Sequence, residues 1–206
     1  MRMSNAEINR FGDRLRASSV VAPDDLEVLQ VLRREYEAAL YVAQARIAEE
    51  LGAAGVTTSR LKTVQTLVGK LRREPNMNLS QVQDIAGLRI VREMSLNEQT
   101  ELAARIAGLF DGSKVIDRRA KPSFGYRAVH VVARVDGRPV EVQVRTTLQD
   151  RWAQIVERMA DPWGRQIRYG QPPDAPHERV GATDRAFIVG LVRRLRACSR
   201  IRELPR

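Results

Sequence analysis

Two histidines, His130 and His177, and one cysteine, Cys198, stand among the 206 residues. A single thiol excludes an internal disulfide, and two imidazoles cannot build a histidine-rich metal site. Any metal used here is therefore expected to be a hard cation held by carboxylates and phosphate oxygens, as Mg2+ usually is. No run of about 18 apolar residues occurs, so no membrane-spanning helix is expected. The N-terminal MRMSNAEINRFGDRLR is polar and has no signal-peptide core, and the expectation is a cytoplasmic protein with no membrane partner. Neither GxxxxGK[ST] nor GxGxxG is present, which removes the two common nucleotide fingerprints. No repeat or low-complexity tract occurs.

A hydrophobic content of 43% is enough for a core, and the length suits one domain with helical additions. Charge is the abundant feature: 35 Lys and Arg against 25 Asp and Glu, a net +10. Such a balance attracts polyanions. Its alternative meaning is a generally arginine-rich surface.

Apolar periodicity predicts one long helix over 24–51, with Leu29, Leu32, Tyr36, Leu40, Ala43 and Ile47 as its stripe. Asp24 or Asp25 would cap its start, and Gly52 and Gly55 its end. A second helix is predicted from Ser59 to Arg73, stopped by Pro75. On it, Lys62, Thr66 and Lys70 share a face, and eight residues of rise set the lysines about 12 Å apart, the span of a polyphosphate. A strand is predicted over 84–91, a helix over 95–109, a strand over 114–119 and a helix over 147–160 with Trp152 and Ile155 inward. Residues 161–178, with four prolines, read as an irregular connection. A last helix is predicted over 183–203, with Ile188, Leu191, Leu195 and Cys198 inward and Arg193, Arg196 and Arg200 as a basic stripe. That stripe suits either a polyanion or a contact between copies of the chain.

The densest signal is YRAVHVVARVDGRPVEVQVRT, residues 126–146. Asp136-Gly137 marks a type I′ hairpin turn, which needs positive φ at both central positions. Alternation then puts Tyr126, His130, Glu141, Gln143 and Arg145 on one face, and Val129, Val131, Val140, Val142 and Val144 on the other. The valines bury the back of the sheet. The front collects an aromatic ring, an imidazole, a carboxylate, an amide and a guanidinium. His130, Gln143 and Arg145 also have a purely structural alternative, support of the polar face. Strands alternating with helices, plus this antiparallel hairpin, predict an α/β fold with a mixed β-sheet. With Arg60, Lys62, Lys70, Asp84 and Arg89 added, the cations suit a triphosphate and the carboxylates Asp84 and Glu141 suit Mg2+. This is a set of groups for phosphoryl transfer.

The order Arg60-x-Lys62…Lys70, Asp84-Ile-Ala-Gly-x-Arg89, Gly125-Tyr126-Arg-Ala-x-His130, Glu141-x-Gln143-x-Arg145-Thr146 resembles the synthetase domain of the RelA/SpoT family, closest to its single-domain small alarmone synthetases and their toxic relatives. The resemblance implies a nucleotidyltransferase-like fold flanked by N- and C-terminal helices, with a helical region at 1–54, the synthetase core at 55–160, and a proline-containing connection and basic helix at 161–206. It implies transfer of the β,γ-pyrophosphate of ATP to a ribose 3′-hydroxyl, with Mg2+ as cofactor. By position, Arg60 and Arg89 resemble the pair that sandwiches adenine, and Lys62, Thr66 and Lys70 the ATP phosphate contacts. Asp84 and Glu141 resemble the Mg2+ carboxylates, with Glu141 also the general base. Tyr126 resembles the residue stacking on the acceptor base, and His130, Gln143 and Arg145 its polar shell. Small alarmone synthetases often carry an asparagine that helps read guanine nine residues after the glutamate; here it is Asp150, whose carboxylate can still accept from guanine N1–H and N2–H2 and is expected among the acceptor-binding residues.

The resemblance leaves two acceptors open. GDP or GTP would make the chain an alarmone synthetase of the stringent response. The 3′-terminal adenosine of tRNA would make it the toxin of a toxin–antitoxin system, with an antitoxin protein as partner. A third reading, from a different class, is an inactive fold kept for binding RNA. No hydrolase domain precedes the synthetase region, so the chain is expected to make product and not degrade it.

Overall fold

Ser4-Asn5-Ala6-Glu7 carries a helix start that the reading above missed. In the computed structural model, Ser4 Oγ accepts from the Glu7 backbone N–H at 3.3 Å while the Glu7 carboxylate accepts from Ser4 N–H at 2.7 Å, a capping box. It opens α1, Asn5–Ala17, whose Ile8, Phe11 and Leu15 are buried. The structure describes residues 3–18, 20–52, 58–120, 122, 124–169, 171 and 190. The C-terminal helix expected over 183–203 lies almost wholly outside them, as does its arginine stripe.

α2 spans Pro23–Leu51 and buries all six residues of the expected stripe. Its start differs from expectation. Ala22 is the N-cap and Pro23 the first helical residue, because proline's fixed φ and missing N–H suit that position; Asp24 and Asp25 fall inside the first turn. Gly52 ends it with φ +80.

The helix expected from Ser59 is corrected. Thr58–Leu61 is a strand, β1, and α3 begins only at Val64, after the N-cap Thr63, running to Arg73. β1 pairs antiparallel with β2, Ala86–Arg92, in the register Thr58↔Arg89, Arg60↔Gly87 and Leu61↔Ala86. α4, Leu96–Gly108, and β3, Lys114–Asp117, follow. β4, Val129–Val135, and β5, Arg138–Thr146, abut a turn in which Asp136 and Gly137 have φ +47 and +69, as a type I′ turn requires. All five expected valines are buried. The five strands form one mixed sheet in the order β1-β2-β5-β4-β3. α5, Thr147–Trp163, follows β5 directly and leads into a 3-10 turn, Arg165–Tyr169. Trp152 and Ile155 were expected inward on α5; Ile155 is 44% exposed, and Ala153, Val156 and Ala160 make the buried side. No described helix is long and apolar enough to cross a membrane.

Contacts group the described residues into two compact units. The first holds those up to Ile90 with Ala104–Val115 and Val131–Gln143; the second holds Val91–Ala103, Ile116–His130 and those from Val144 onward. In the first, buried Arg138 donates to Glu35 Oε2 on α2 and to Met3 O, a paired charge that ties the hairpin to the helix. Gly12 of α1 lies against the turn Leu79–Gln81: a Cβ there would stand 2.6 Å from Leu79 Cβ. Gly12→Ala is therefore expected to cost about 1–3 kcal/mol through overpacking. Urea unfolding should show a lower midpoint at unchanged slope; an unchanged midpoint would mean that α1 shifts freely on its seat.

In the second unit, the buried amides of Gln99 and Gln149 donate to each other, and Gln99 Nε2 also donates to Val144 O at 2.8 Å. Gln149 completes a capping box with Thr146 at the start of α5. The junction of β5 and α5 is thereby fixed by side chains as well as by its own backbone.

Candidate active site

Lys62 is held by its backbone. Its N–H donates to Ile85 O at 2.7 Å, and its carbonyl accepts from Arg33 of α2 at 2.9 Å. Lys70 stands two turns into α3. Their ammonium groups converge on one carboxylate: Lys62 Nζ lies 2.7 Å from Asp84 Oδ2, and Lys70 Nζ 3.0 Å from Asp84 Oδ1. The 12 Å row expected from a continuous helix is thus replaced by two cations around one anion, because Lys62 follows a strand and enters from another direction. Burial pushes the Asp84 carboxyl up. The hydrogen bond and charge of Lys62, joined by those of Lys70, outweigh burial and hold it below the ordinary carboxylate value. Thr66 sits in the first turn of α3, where its hydroxyl donates to Thr63 O at 2.9 Å.

Asp84 also lines an open cleft with Arg60, Gly87, Arg89, Glu141 and Gln143. The β1–β2 register makes Arg60 and Gly87 direct partners and puts Arg89 two residues further along the same face, so the two guanidinium groups are diagonal neighbours. Glu141 rises from β5 between buried Val140 and Val142, and its Oε2 accepts from Gln143 Nε2 at 2.7 Å. No group of three His, Cys, Asp or Glu side chains among the described residues is placed to cage a metal. Two carboxylates in a cleft fit a cation such as Mg2+, which keeps most of its shell as water and substrate oxygen.

The remaining expected residues form a second cluster, in the second unit. Tyr126 follows Phe124 and Gly125, both at positive φ, +51 and +90; it precedes β4 and is not part of the strand. Its hydroxyl accepts from Arg145 Nη2 at 3.0 Å and shares a 2.8 Å hydrogen bond with His130 Nε2. The Tyr126 and His130 rings meet edge to face at 5.7 Å, and Arg145 Cζ lies 5.1 Å from the Tyr126 ring centre. Arg145 Nη1 donates to Asp150 Oδ1 at 2.8 Å, and Gln154 Nε2 donates to Asp150 Oδ2. Burial pulls the Arg145 guanidinium down, but Tyr126 and Asp150 outweigh it and raise its basicity. Arg33, which positions Lys62, Gln154, which donates to Asp150, and the Gln99–Gln149 pair at the start of α5 were not singled out from sequence. They sit on helices as ordinary polar residues, and no local pattern distinguishes them.

Residues 59–160 match the family model described as a region found in RelA / SpoT proteins. Over 139 residues the chain is 44% identical to the uncharacterized protein Rv1366 of Mycobacterium tuberculosis (strain ATCC 25618 / H37Rv), and equally to the uncharacterized protein Mb1401 of Mycobacterium bovis. These matches cover 66% of the chain and 51% of each relative, so the chain spans about half the length of the curated relatives it matches. The crystal structure of small alarmone synthetase 2 from Bacillus subtilis superposes with a TM-score of 0.56 at 20% identity, over 86% of this chain and 91% of that one. Small alarmone synthetase 1 from Bacillus subtilis, bound to its product pppGpp, gives 0.55 at 23% identity, over 87% and 94%. The fold is like that of the small alarmone synthetases, and the mixed α/β architecture expected from sequence is borne out.

Proposed function

Because the chain belongs to the RelA/SpoT family through the synthetase domain at residues 59–160, we propose that it is a pyrophosphokinase that transfers the β,γ-pyrophosphate of ATP to the ribose 3′-hydroxyl of GDP or GTP. The observation that carries this reading is the content of one cleft: Asp84 and Glu141 line it together with Arg60 and Arg89. Diagonal neighbours on a sheet stand about 7–8 Å apart. That is room for one aromatic ring at about 3.5–4 Å from each plane, so the two guanidinium groups clasp adenine. Lys62 and Lys70 are drawn from Asp84 toward the phosphates, whose charge exceeds that of one carboxylate. Asp84 and Glu141 would be the two carboxylates that hold Mg2+. The chemistry such an ion would supply is neutralisation of charge on the phosphate oxygens. Glu141 takes the proton of the attacking 3′-hydroxyl. The 3′-oxygen bonds to the β-phosphorus, the bond from that phosphorus to the α,β-bridging oxygen breaks, and AMP leaves. Tyr126 stacks on the acceptor base, with His130 and Arg145 as its polar surroundings. The protein works in the cytoplasm.

A second reading keeps the chemistry and changes the acceptor to the 3′-CCA end of tRNA, with an antitoxin as partner. The net charge of +10 favours it, since tRNA needs a cationic surface beyond a nucleotide pocket. Purified protein with ATP labelled at the γ-phosphate, offered GDP, GTP or deacylated tRNA, separates the two by where the label goes. Label in none of them would refute both and leave the RNA-binding module.

Tyr126→Ala is expected to raise the acceptor KM roughly 5- to 150-fold, the equivalent of about 1–3 kcal/mol of stacking, with the Kd for ATP unchanged. Calorimetry with a non-hydrolysable ATP analogue checks the second half. Equal losses for donor and acceptor would remove Tyr126 from the acceptor side.

A further inference from the structure

We propose that Asp150 does not read the acceptor base but is a positioning residue, which holds Arg145 so that Arg145 holds the Tyr126 ring. The proposal rests on the reading of Tyr126 as the acceptor's stacking residue. Asp150 and Arg145 are only 6% and 3% exposed. Each carboxylate oxygen of Asp150 already accepts a hydrogen bond, Oδ1 from Arg145 and Oδ2 from Gln154. A base edge would have to displace a buried ion pair to reach them, and a buried charge that loses its partner is costly. The guanidinium of Arg145 spans the gap from Asp150 to the Tyr126 hydroxyl, donating through Nη1 to one and Nη2 to the other.

The far end of this chain of contacts is rigid. Asp150 stands in the first turn of α5, next to Gln149 of the Thr146 capping box, and Gln149 is locked to Gln99. At the near end Tyr126 follows Phe124 at φ +51 and Gly125 at φ +90, and its backbone makes a single β-bridge before β4. A bridge fixes the backbone but not the ring, which side chains must hold if it is to stack without losing freedom on binding. His130 Nε2 and Arg145 Nη2 supply that hold at the hydroxyl. The surroundings also favour a carboxylate over an amide at this position. An amide can accept from Arg145, but only an anion neutralises a guanidinium this deeply buried.

Asp150→Asn, Asp150→Ala and Gln154→Ala, assayed with ATP and either GDP or ADP as acceptor, test this. The expected result is an acceptor KM raised a few-fold by Asn and by Gln154→Ala and about 10- to 100-fold by Asp150→Ala, with the ATP KM and the GDP-to-ADP preference unchanged. Partial rescue by asparagine marks the lost hold on Arg145. A preference altered about tenfold or more by Asp150→Asn overturns the proposal, because that is the signature of a base reader. An acceptor KM unmoved by Asp150→Ala overturns it as well. If Asp150→Ala does not fold, Asp150→Asn and Gln154→Ala carry the same two tests. The ring itself gives a readout that needs no turnover. In protein with ring-labelled tyrosine, the Tyr126 resonances should shift in Asp150→Asn while those of Tyr36, buried elsewhere, stay in place. Unshifted Tyr126 signals sink the positioning role. Wild-type protein that transfers to no acceptor sinks instead the functional reading on which the proposal stands.

Discussion

Glu141→Gln is expected to lower turnover by about a thousandfold or more and to leave the fold intact. A general base alone contributes about 10²- to 10⁴-fold, and in the proposed mechanism Glu141 also supplies one of the two cation-binding carboxylates. Glutamine has the same shape and cannot take the proton. The fold survives because Glu141 belongs to the half-buried face of β5 while the buried Val140, Val142 and Val144 carry the packing. The substitution touches the 2.7 Å hydrogen bond from Gln143; losing about 1 kcal/mol there would move the melting temperature by about 2–4 °C in a chain of this size. Steady-state rates and a thermal melt on the same preparation check both halves. A glutamine variant that turns over at the wild-type rate would place the chemistry elsewhere.

Loss of the Lys62–Asp84–Lys70 cluster should have the next largest effect. Lys62→Ala and Lys70→Ala are each expected to weaken ATP binding or lower the rate by about 10- to 100-fold, in the range of hydrogen bonds to charged groups. Because both ammonium groups share one carboxylate, the double variant should lose less than the sum of the singles. Strict additivity would mean that the lysines act independently. Asp84 adds a pH signature. Its carboxyl is held below the ordinary value, so its stabilising contribution is present above the unfolded value, about 3.9, and is lost as pH falls through the depressed folded value. Asp84→Asn should therefore be less stable than wild type at pH 5–7, by about 1–3 kcal/mol, and the gap should close on acidification below about 3.9. Unfolding midpoints from pH 7 to pH 2 measure this. A gap that persists at pH 2 would point to lost packing.

The sequence by itself determined the features that depend on near neighbours. The Asp136-Gly137 turn, the valine face of the hairpin, the stripe of α2 and the order of the motifs were legible because turn geometry and strand or helix periodicity act within a few residues. β1 was not. Leu61, Val64, Leu67, Val68 and Leu71 mimic a helical stripe, and only pairing with β2, some 25 residues on, makes Thr58–Leu61 a strand. That pairing set the two lysines on one carboxylate, 22 and 14 residues away in sequence, where a continuous helix would have spread them. It also brought Arg60 and Arg89 onto one face. At Asp150 the sequence told only that a carboxylate replaces an amide. Its burial against Arg145 and Gln154 was decided by the packing of α5 at the end of β5, because the cost of an unpaired buried charge is a property of the surroundings and not of the residue.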